Sequence, residues 1–490
     1  MEIATAQGRF RGTHAHGVWS FKGIPFAAAP VGLLRFAAPQ PVAAHEGVFD
    51  AREFGATADA PPQRSPALER LLPDPVRPGD NPLNLNVWTA DPEARLPVLV
   101  WIHGGGFVTG TGSTTAFDGT AFARGGVVVV TINYRLGVEG FLELEDAPSN
   151  RGLRDQLAAL RWVNENIAAF GGDPDAVTIA GQSAGAMSVL TLTTSPHADG
   201  LFARAIAQSG DGHHVHTVDA ARTLTAELCS RLGIPATAAG VAGVGRDELH
   251  RETNEVITLA TSGTNPRFTG FRRLAFQPVI DGDVVPEHPI ERVRGGATNG
   301  VELLVGTNSE EYGLFVAPSG LDELLTHATL RTSVARLVDD PEALIADYRV
   351  EMPSAGPAEL FVAIRSDWFC VVPTMVYADA RLCAGADCFM YQFSWRPETF
   401  GGRLGACHTL EIPFVFNTLD DPWGRQLRGE DAPSELADDM QRAWIDFVTT
   451  GRPGWPSYGR SRIVRRFNVP GDVVEDPEPF RRRIWTDLIR

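Results

Sequence analysis

The 490-residue chain is long enough for one large domain with insertions or for several ordinary ones. Its 43% hydrophobic and 21% charged residues are the balance of a globular protein with a sizeable core. A formal charge of −17 repels phosphate backbones and anionic lipid, so neither nucleic acid nor membrane is an expected partner. Lys22 is the only lysine and lies in Ser-Phe-Lys-Gly-Ile-Pro, which fits neither a Walker A loop nor a Schiff-base site; P-loop NTPases, kinases and pyridoxal enzymes are excluded on that ground.

The start, Met-Glu-Ile-Ala-Thr-Ala-Gln-Gly, has no basic region and no apolar core, so it is not expected to be a secretory leader. No run reaches the roughly 18 apolar residues that a membrane-spanning helix needs. The five cysteines, Cys229, Cys370, Cys383, Cys388 and Cys407, are odd in number and scattered. They match neither a disulfide framework nor a zinc site, which predicts a cytoplasmic protein. Nothing calls for a metal or a cofactor, and a monomer is the expected state.

In chain order, Pro61 to Pro82 is rich in proline and charge and reads as a surface loop. Leu96 to Ile102 and Val127 to Ile132 are continuous apolar runs, the pattern of strands covered on both faces. Leu153, Leu157, Leu160, Val163, Ile167 and Phe170 recur every three or four residues, one stripe of a helix that stops at Gly171-Gly172-Asp173-Pro174. Val177 to Ala180 and Val301 to Val305 are further strands. Strand, helix, strand in this order predicts a parallel sheet with right-handed crossovers, an α/β protein. The stretches 220–264 and 320–386 read as helical insertions covering one end of the sheet, so that 1–490 forms a single domain.

Two glycine-rich motifs sit at strand ends. Gly181-Gln182-Ser183-Ala184-Gly185 fits G-x-S-x-G, in which a sharp strand-to-helix turn exposes a strained serine and crowding demands small neighbours. A tight turn with an inert serine would give the same five letters, but the strand before it and the helix-forming Ala184 to Thr193 after it favour a nucleophile. His103-Gly104-Gly105-Gly106-Phe107 follows the first strand and has the form of a loop whose bare amides bind an oxyanion. Gly105 and Gly106 are the expected donors, with Ala184 as the third. His103 precedes the serine and suits a structural or positioning role. A phosphate cradle would need a following GxGxxG or lysine, and neither is present.

A triad in this setting runs in the order serine, acid, histidine. The strand Val301 to Val305 leads into Gly306-Thr307-Asn308-Ser309-Glu310-Glu311, where spacing alone leaves Glu310 and Glu311 open. Of the two histidines beyond this point, His327 lies in a helical stretch and His408 follows a glycine-rich loop and the strand-like Phe389 to Trp395, so His408 is the expected base. Cys407 beside it is a bystander. His213, His214 and His216 form the one histidine cluster; exposure or a place at a pocket entrance explains it better than a metal site.

These residues resemble the type-B carboxylesterase family, which includes bacterial para-nitrobenzyl esterases and the cholinesterases. The resemblance runs nearly end to end: Phe21-Lys22-Gly23-Ile24-Pro25-Phe26, Leu85-Asn86-Val87-Trp88, Asn133-Tyr134-Arg135-Leu136-Gly137, Phe170-Gly171-Gly172-Asp173-Pro174, Thr307 to Phe315 and Cys407-His408-Thr409-Leu410-Glu411-Ile412-Pro413-Phe414. It implies the α/β-hydrolase fold: a mostly parallel sheet with helices on both faces. It also implies a Ser183–Glu311–His408 triad, Glu311 being selected over Glu310, that hydrolyses carboxylic esters with water through an acyl-enzyme. Gln182 stands where the family usually has glutamate, which implies a pocket for uncharged esters and makes choline esters unsuitable. Pro82 and Ala58–Pro61 lack the cysteines of secreted members, in keeping with a cytoplasmic protein. Ser209, in Ala207-Gln208-Ser209-Gly210, matches a family serine that would support Glu311. A carbamate or amide hydrolase could use the same triad, and Phe276-Gln277-Pro278-Val279 together with the two helical insertions is expected to shape the pocket. An inactive binding protein of the same family would have lost triad residues, and this chain keeps them.

Overall fold

In a computed structural model of the chain, residues 1–62, 65–263, 265–271, 274–298 and 300–485 are described. Eleven strands form the central sheet: β1 (Thr13–Ala15), β2 (Val18–Pro25), β3 (Asn84–Thr89), β4 (Leu96–Ile102), β5 (Val128–Ile132), β6 (Gly172–Gln182), β7 (Arg204–Gln208), β8 (Glu302–Asn308), β9 (Phe389–Phe393), β10 (Ile463–Phe467) and β11 (Asp472–Glu475). Their order is β11-β10-β9-β8-β7-β6-β4-β5-β3-β2-β1. Every pairing from β5 through β4, β6, β7, β8 and β9 to β10 is parallel. Only the two ends are antiparallel.

The apolar runs of the sequence are the middle of this sheet, and their side chains divide between two cores. Val98, Val100 and Ile102 of β4 point to one side with the helix α1 (Arg151–Asn166), through Leu153, Leu157, Leu160 and Val163. Leu99 and Trp101 point to the other, with Leu436, Met440, Trp444 and Phe447 of the helix α3 (Ser434–Thr450); α2 (Ala184–Leu192) lies between these two in sequence. A strand alternates faces at every residue. With a core on each side it has no position left for a polar residue, which is why these runs show no alternation. Each fully buried Val or Leu contributes about 1.5–3 kcal/mol of transfer free energy to holding the layers together.

A buried ion pair fastens α1 to the loop after β5. Arg135 Nε and Nη2 donate to the two oxygens of Asp155 at 2.8 and 2.7 Å, and the Arg135 backbone N–H adds a third bond at 3.0 Å. The two stretches expected to be helical are so: Val218–Leu232, Ala238–Ala242 and Arg246–Thr261 in the first, and helices from Leu321–Leu324 to Val372–Cys383 in the second. The continuous helical run Pro357–Cys383 contains an 18-residue window of mean hydropathy 1.3, enough by length and composition to cross a bilayer, contrary to the sequence expectation. Its most apolar window is 78% buried inside the protein, the position of a core helix. Pro61 to Pro82 is more than a surface loop, since it carries the helix Pro66–Leu71 and buries Leu71.

Candidate functional site

β6 ends at Gln182 and α2 begins at Ala184, leaving Ser183 to make the whole turn with φ 57° and ψ −125°. A non-glycine residue at positive φ is strained and persists only where its surroundings dictate it. Here the surroundings are backbone. A Cβ on Gly185 would fall 2.0 Å from the carbonyl oxygen of Ile102, and one on Gly181 would fall 2.5 Å from the carbonyl carbon of Gly185. The glycines of the motif are thus required by the close packing of strand end against helix start. Ser183 itself stays partly exposed. The amide of Ala184 is the first of α2 and has no partner within the helix.

The loop after β4 passes directly beside this turn. A Cβ on Gly104 would lie 3.1 Å from Cβ of Ser183. Gly105 (φ 108°) and Gly106 (φ 63°) occupy backbone regions that suit glycine, and a Cβ on Gly105 would fall 2.1 Å from the Thr109 carbonyl oxygen. His103 is buried under this loop, stacked on Tyr134 with ring centroids 4.4 Å apart, and its Nδ1 lies 2.8 Å from the Gly104 carbonyl oxygen. Burial pushes its pKa down to about 4, so it stays neutral with Nδ1–H donating to Gly104.

β8 and the loop after β9 bring Glu311 and His408 together. Nδ1 of His408 lies 2.6 Å from Oε2 of Glu311, and the backbone N–H of Asn308 donates to Oε1 of Glu311 at 2.8 Å. Both residues are buried. An acceptor-only carboxylate fixes the proton of a neutral imidazole on Nδ1 and leaves Nε2 as the basic nitrogen. That Nε2 lies 3.2 Å from Nε2 of Gln182. Glu310, the neighbour that spacing could not separate from Glu311, instead pairs with Arg396 at 2.6 Å and accepts the Ala406 amide.

Sequence reasoning missed Glu411. It is fully buried three residues beyond His408, accepting from Asn308 Nδ2 at 2.7 Å and Gln208 Nε2 at 3.2 Å. Burial, with the Glu311 charge added, pushes its carboxyl up to about 7. Asn308 therefore serves two carboxyls, one with its backbone and one with its side chain. An acid inside the apolar run Leu410 to Phe416 was the available signal. Cys407 is buried with its thiol pushed well above the ordinary value by desolvation and by the Glu311 and Glu411 charges, so it stays protonated.

Ser183, His408, Gln182 and Gly104 to Gly106 line one cavity of about 260 Å³. Its walls are mainly apolar: Leu68, Leu72, Phe117, Leu274, Leu314, Phe315, Phe369, Ile412 and Trp423. Both helical insertions contribute, through Ile257 with Asn254 and through Phe369. The proline-rich segment supplies Pro61, Pro62, Leu68, Leu72 and Asp74, the one acidic side chain on the wall among the described residues; desolvation pushes its carboxyl up to about 6, against a hydrogen bond from the Gly110 amide.

Three expectations fail. Ser209 does not support Glu311: its backbone N–H bonds to Gly306, its Oγ is buried with no partner among the described residues, and the support comes from the Asn308 amide. The histidine cluster is neither exposed nor at the pocket entrance. His213 and His214 hold opposite oxygens of buried Asp211 at 3.2 and 3.1 Å, and His216 is buried against Phe271. No group among the described residues is arranged to hold a metal ion. Phe276 to Val279, expected to shape the pocket, is absent from its wall because Gln277 turns to His216 and the Val279 amide to Asn150.

A model of the carboxylesterase family matches residues 1–461. The chain is 38% identical to the para-nitrobenzyl esterase of Bacillus subtilis (strain 168), covering 98% of this chain and 97% of that one. It is 34% identical to the phenmedipham hydrolase of Pseudarthrobacter oxydans, over 93% and 92% respectively. Among solved structures, a carboxylesterase of Geobacillus stearothermophilus superposes with a TM-score of 0.86 at 37% identity, covering 99% of both chains. Similarity of this length and depth is decisive: the chain belongs to the carboxylesterase family and is a carboxylic-ester hydrolase of the α/β-hydrolase fold.

Proposed function

We propose that the chain hydrolyses uncharged, short- to medium-chain or aromatic carboxylic esters, with Ser183 as nucleophile, His408 as base and Glu311 orienting it. Nε2 of His408 takes the Ser183 proton as Oγ attacks the ester carbonyl, and the amides of Gly105, Gly106 and Ala184 receive the oxyanion. The tetrahedral intermediate collapses, the leaving alcohol takes the proton from Nε2, and an acyl-serine remains. Water, deprotonated by the same nitrogen, releases the acid and frees Ser183.

The observation that carries this reading is the 2.6 Å contact of His408 with Glu311 on the wall of the cavity that Ser183 and the glycine loop share. The substrate class rests on that wall. Its volume of about 260 Å³ is at the small end for ligand pockets. Its lining is apolar and aromatic, and Gln182 brings an amide where a carboxylate would attract a cation. The reading extends to a cytoplasmic monomer, supported by five free cysteines and by a net charge that favours solubility.

Matched ester, carbamate and anilide substrates carrying one nitroaromatic leaving group test it. The ester should turn over fastest, with kcat/KM falling for long acyl chains and for choline-like esters. A carbamate or anilide turned over faster than the ester would overturn the assignment of substrate class.

A further inference from the structure

Gln182 makes a contact that its place beside the nucleophile does not explain. Both it and His408 are buried, and its side-chain nitrogen lies 3.2 Å from Nε2 of the imidazole, the nitrogen that Glu311 leaves unprotonated. A lone pair there repels a carbonyl oxygen and accepts from an N–H, so the orientation of the amide follows from the chemistry: Nε2 of Gln182 donates to Nε2 of His408. The base is thus occupied by an internal donor at the nitrogen that must receive the Ser183 proton.

We infer that Gln182 is a positioning residue that switches partners with His408 during turnover, donating to the neutral imidazole and accepting from the imidazolium. The inference rests on the reading of His408 as the base. In the resting site the amide holds the ring with Nε2 toward the cavity. When Ser183 delivers its proton, Nε2–H becomes a donor, and rotation of the terminal amide presents Oε1 in place of the N–H. A glutamate could serve only the second state. An amide serves both without adding a charge to a desolvated cavity, where an unpaired carboxylate is costly.

The other groups around the ring do not duplicate this role. Glu311 holds Nδ1. Phe315 and Phe369 pack on the imidazole with centroids 5.8 Å away. Glu411 lies behind with its oxygens taken by Asn308 and Gln208, buried Cys407 precedes the ring in the chain, and Tyr391 is buried beyond the two glutamates. His103 is held by Gly104 and Tyr134, and Asp74, its carboxyl pushed up to about 6 by desolvation, is bonded to the Gly110 amide on the cavity wall; Gln182→Met and Gln182→Glu leave its contribution to the profile in place.

The test compares the native chain with Gln182→Met and Gln182→Glu, following kcat/KM for a neutral nitrophenyl ester across about pH 5 to 9. An amide that switches partners bonds both forms of the base, its charge-assisted bond to the imidazolium being the stronger, and a nearby carboxylate favours the charged form further. The midpoint of the acid limb should therefore rise in the order Met, Gln, Glu, with the glutamate variant about one pH unit or more above the native chain. A methionine midpoint at or above the native one, or a glutamate midpoint at or below it, would overturn the inference. Should the variants misfold, nitrogen NMR of the histidine-labelled native chain reads the same bond. Nε2 of His408 is expected to be unprotonated yet hydrogen-bonded, and the shift of a free lone pair would equally contradict it. Absence of ester turnover in the native chain would sink the esterase mechanism instead, and the NMR arm keeps the two failures apart.

Discussion

Nδ1 of His408 and Oε2 of Glu311 lie 2.6 Å apart across a 97-residue separation in sequence, in a site from which water is excluded on the acid's side. The contact selects the tautomer in which Nε2 carries no proton, as the proposed base requires. Glu311→Gln would keep the shape and, by presenting its amide N–H to Nδ1, favour the wrong tautomer. Loss of kcat by roughly 10³- to 10⁴-fold, with a nearly unchanged melting temperature, is expected. Steady-state kinetics on a nitrophenyl ester checks it, and a loss below tenfold would mean that Glu311 does not orient the base.

The glycine loop is constrained by space as well as by dihedral angle. Gly105→Ala would drive a methyl to 2.1 Å from the Thr109 carbonyl oxygen at a φ of 108°, so the loop must shift and its amides leave their positions. A fall of about 10²- to 10³-fold in kcat, the cost of losing an oxyanion donor, is expected with KM little changed. A variant that keeps native kcat would exclude Gly105 and Gly106 as the donors.

Stability should fall in mild acid because His103 is buried neutral. Its pKa of about 4 in the folded protein lies below its ordinary value of 6.5. The sign follows directly: the contribution is complete above pH 6.5 and is lost as pH drops through 6.5 toward 4, by up to about 3 kcal/mol. His103→Phe keeps the stacking on Tyr134 and removes the titration. It should cost about 1 kcal/mol at neutral pH for the lost bond to Gly104 and show a shallower decline between those pH values. Urea unfolding at both ends of the window reads this; parallel declines in the two proteins would contradict it. His216, also pushed down to about 4 by burial, keeps the remaining slope from vanishing.

Arg135→Met isolates the buried pair with Asp155. The methionine fills much of the volume but leaves a carboxylate buried with only the backbone N–H of residue 135. Destabilisation by about 3–5 kcal/mol is expected from denaturant unfolding. A loss under 1 kcal/mol would show that Asp155 is neutralised without the arginine.

How much of this was legible follows from burial. β4, β5, β6 and β8 were readable because both faces are covered and their apolar runs are unbroken. β1, β10 and β11 were not, since short, partly exposed strands at or next to the ends of the sheet carry no such run. The turn at Ser183 was legible through its glycines, each forced by a backbone contact. Ser209 misled because a resemblance transfers a residue type and not a hydrogen bond, and here the Asn308 amide had taken the role. Pro61 to Pro82 gave no sign that it walls the cavity, because irregular backbone leaves no periodic trace of the side it faces.

The proposed mechanism turns on Ser183 as the nucleophile. Native chain and Ser183→Ala should be compared for hydrolysis of a short-chain nitrophenyl ester and for labelling by a fluorophosphonate, with circular dichroism confirming that both are folded. Rapid turnover and stoichiometric labelling are expected in the native chain, and in the variant loss of labelling with kcat reduced by roughly 10⁶-fold. Near-native turnover or undiminished labelling in a folded Ser183→Ala chain would contradict it.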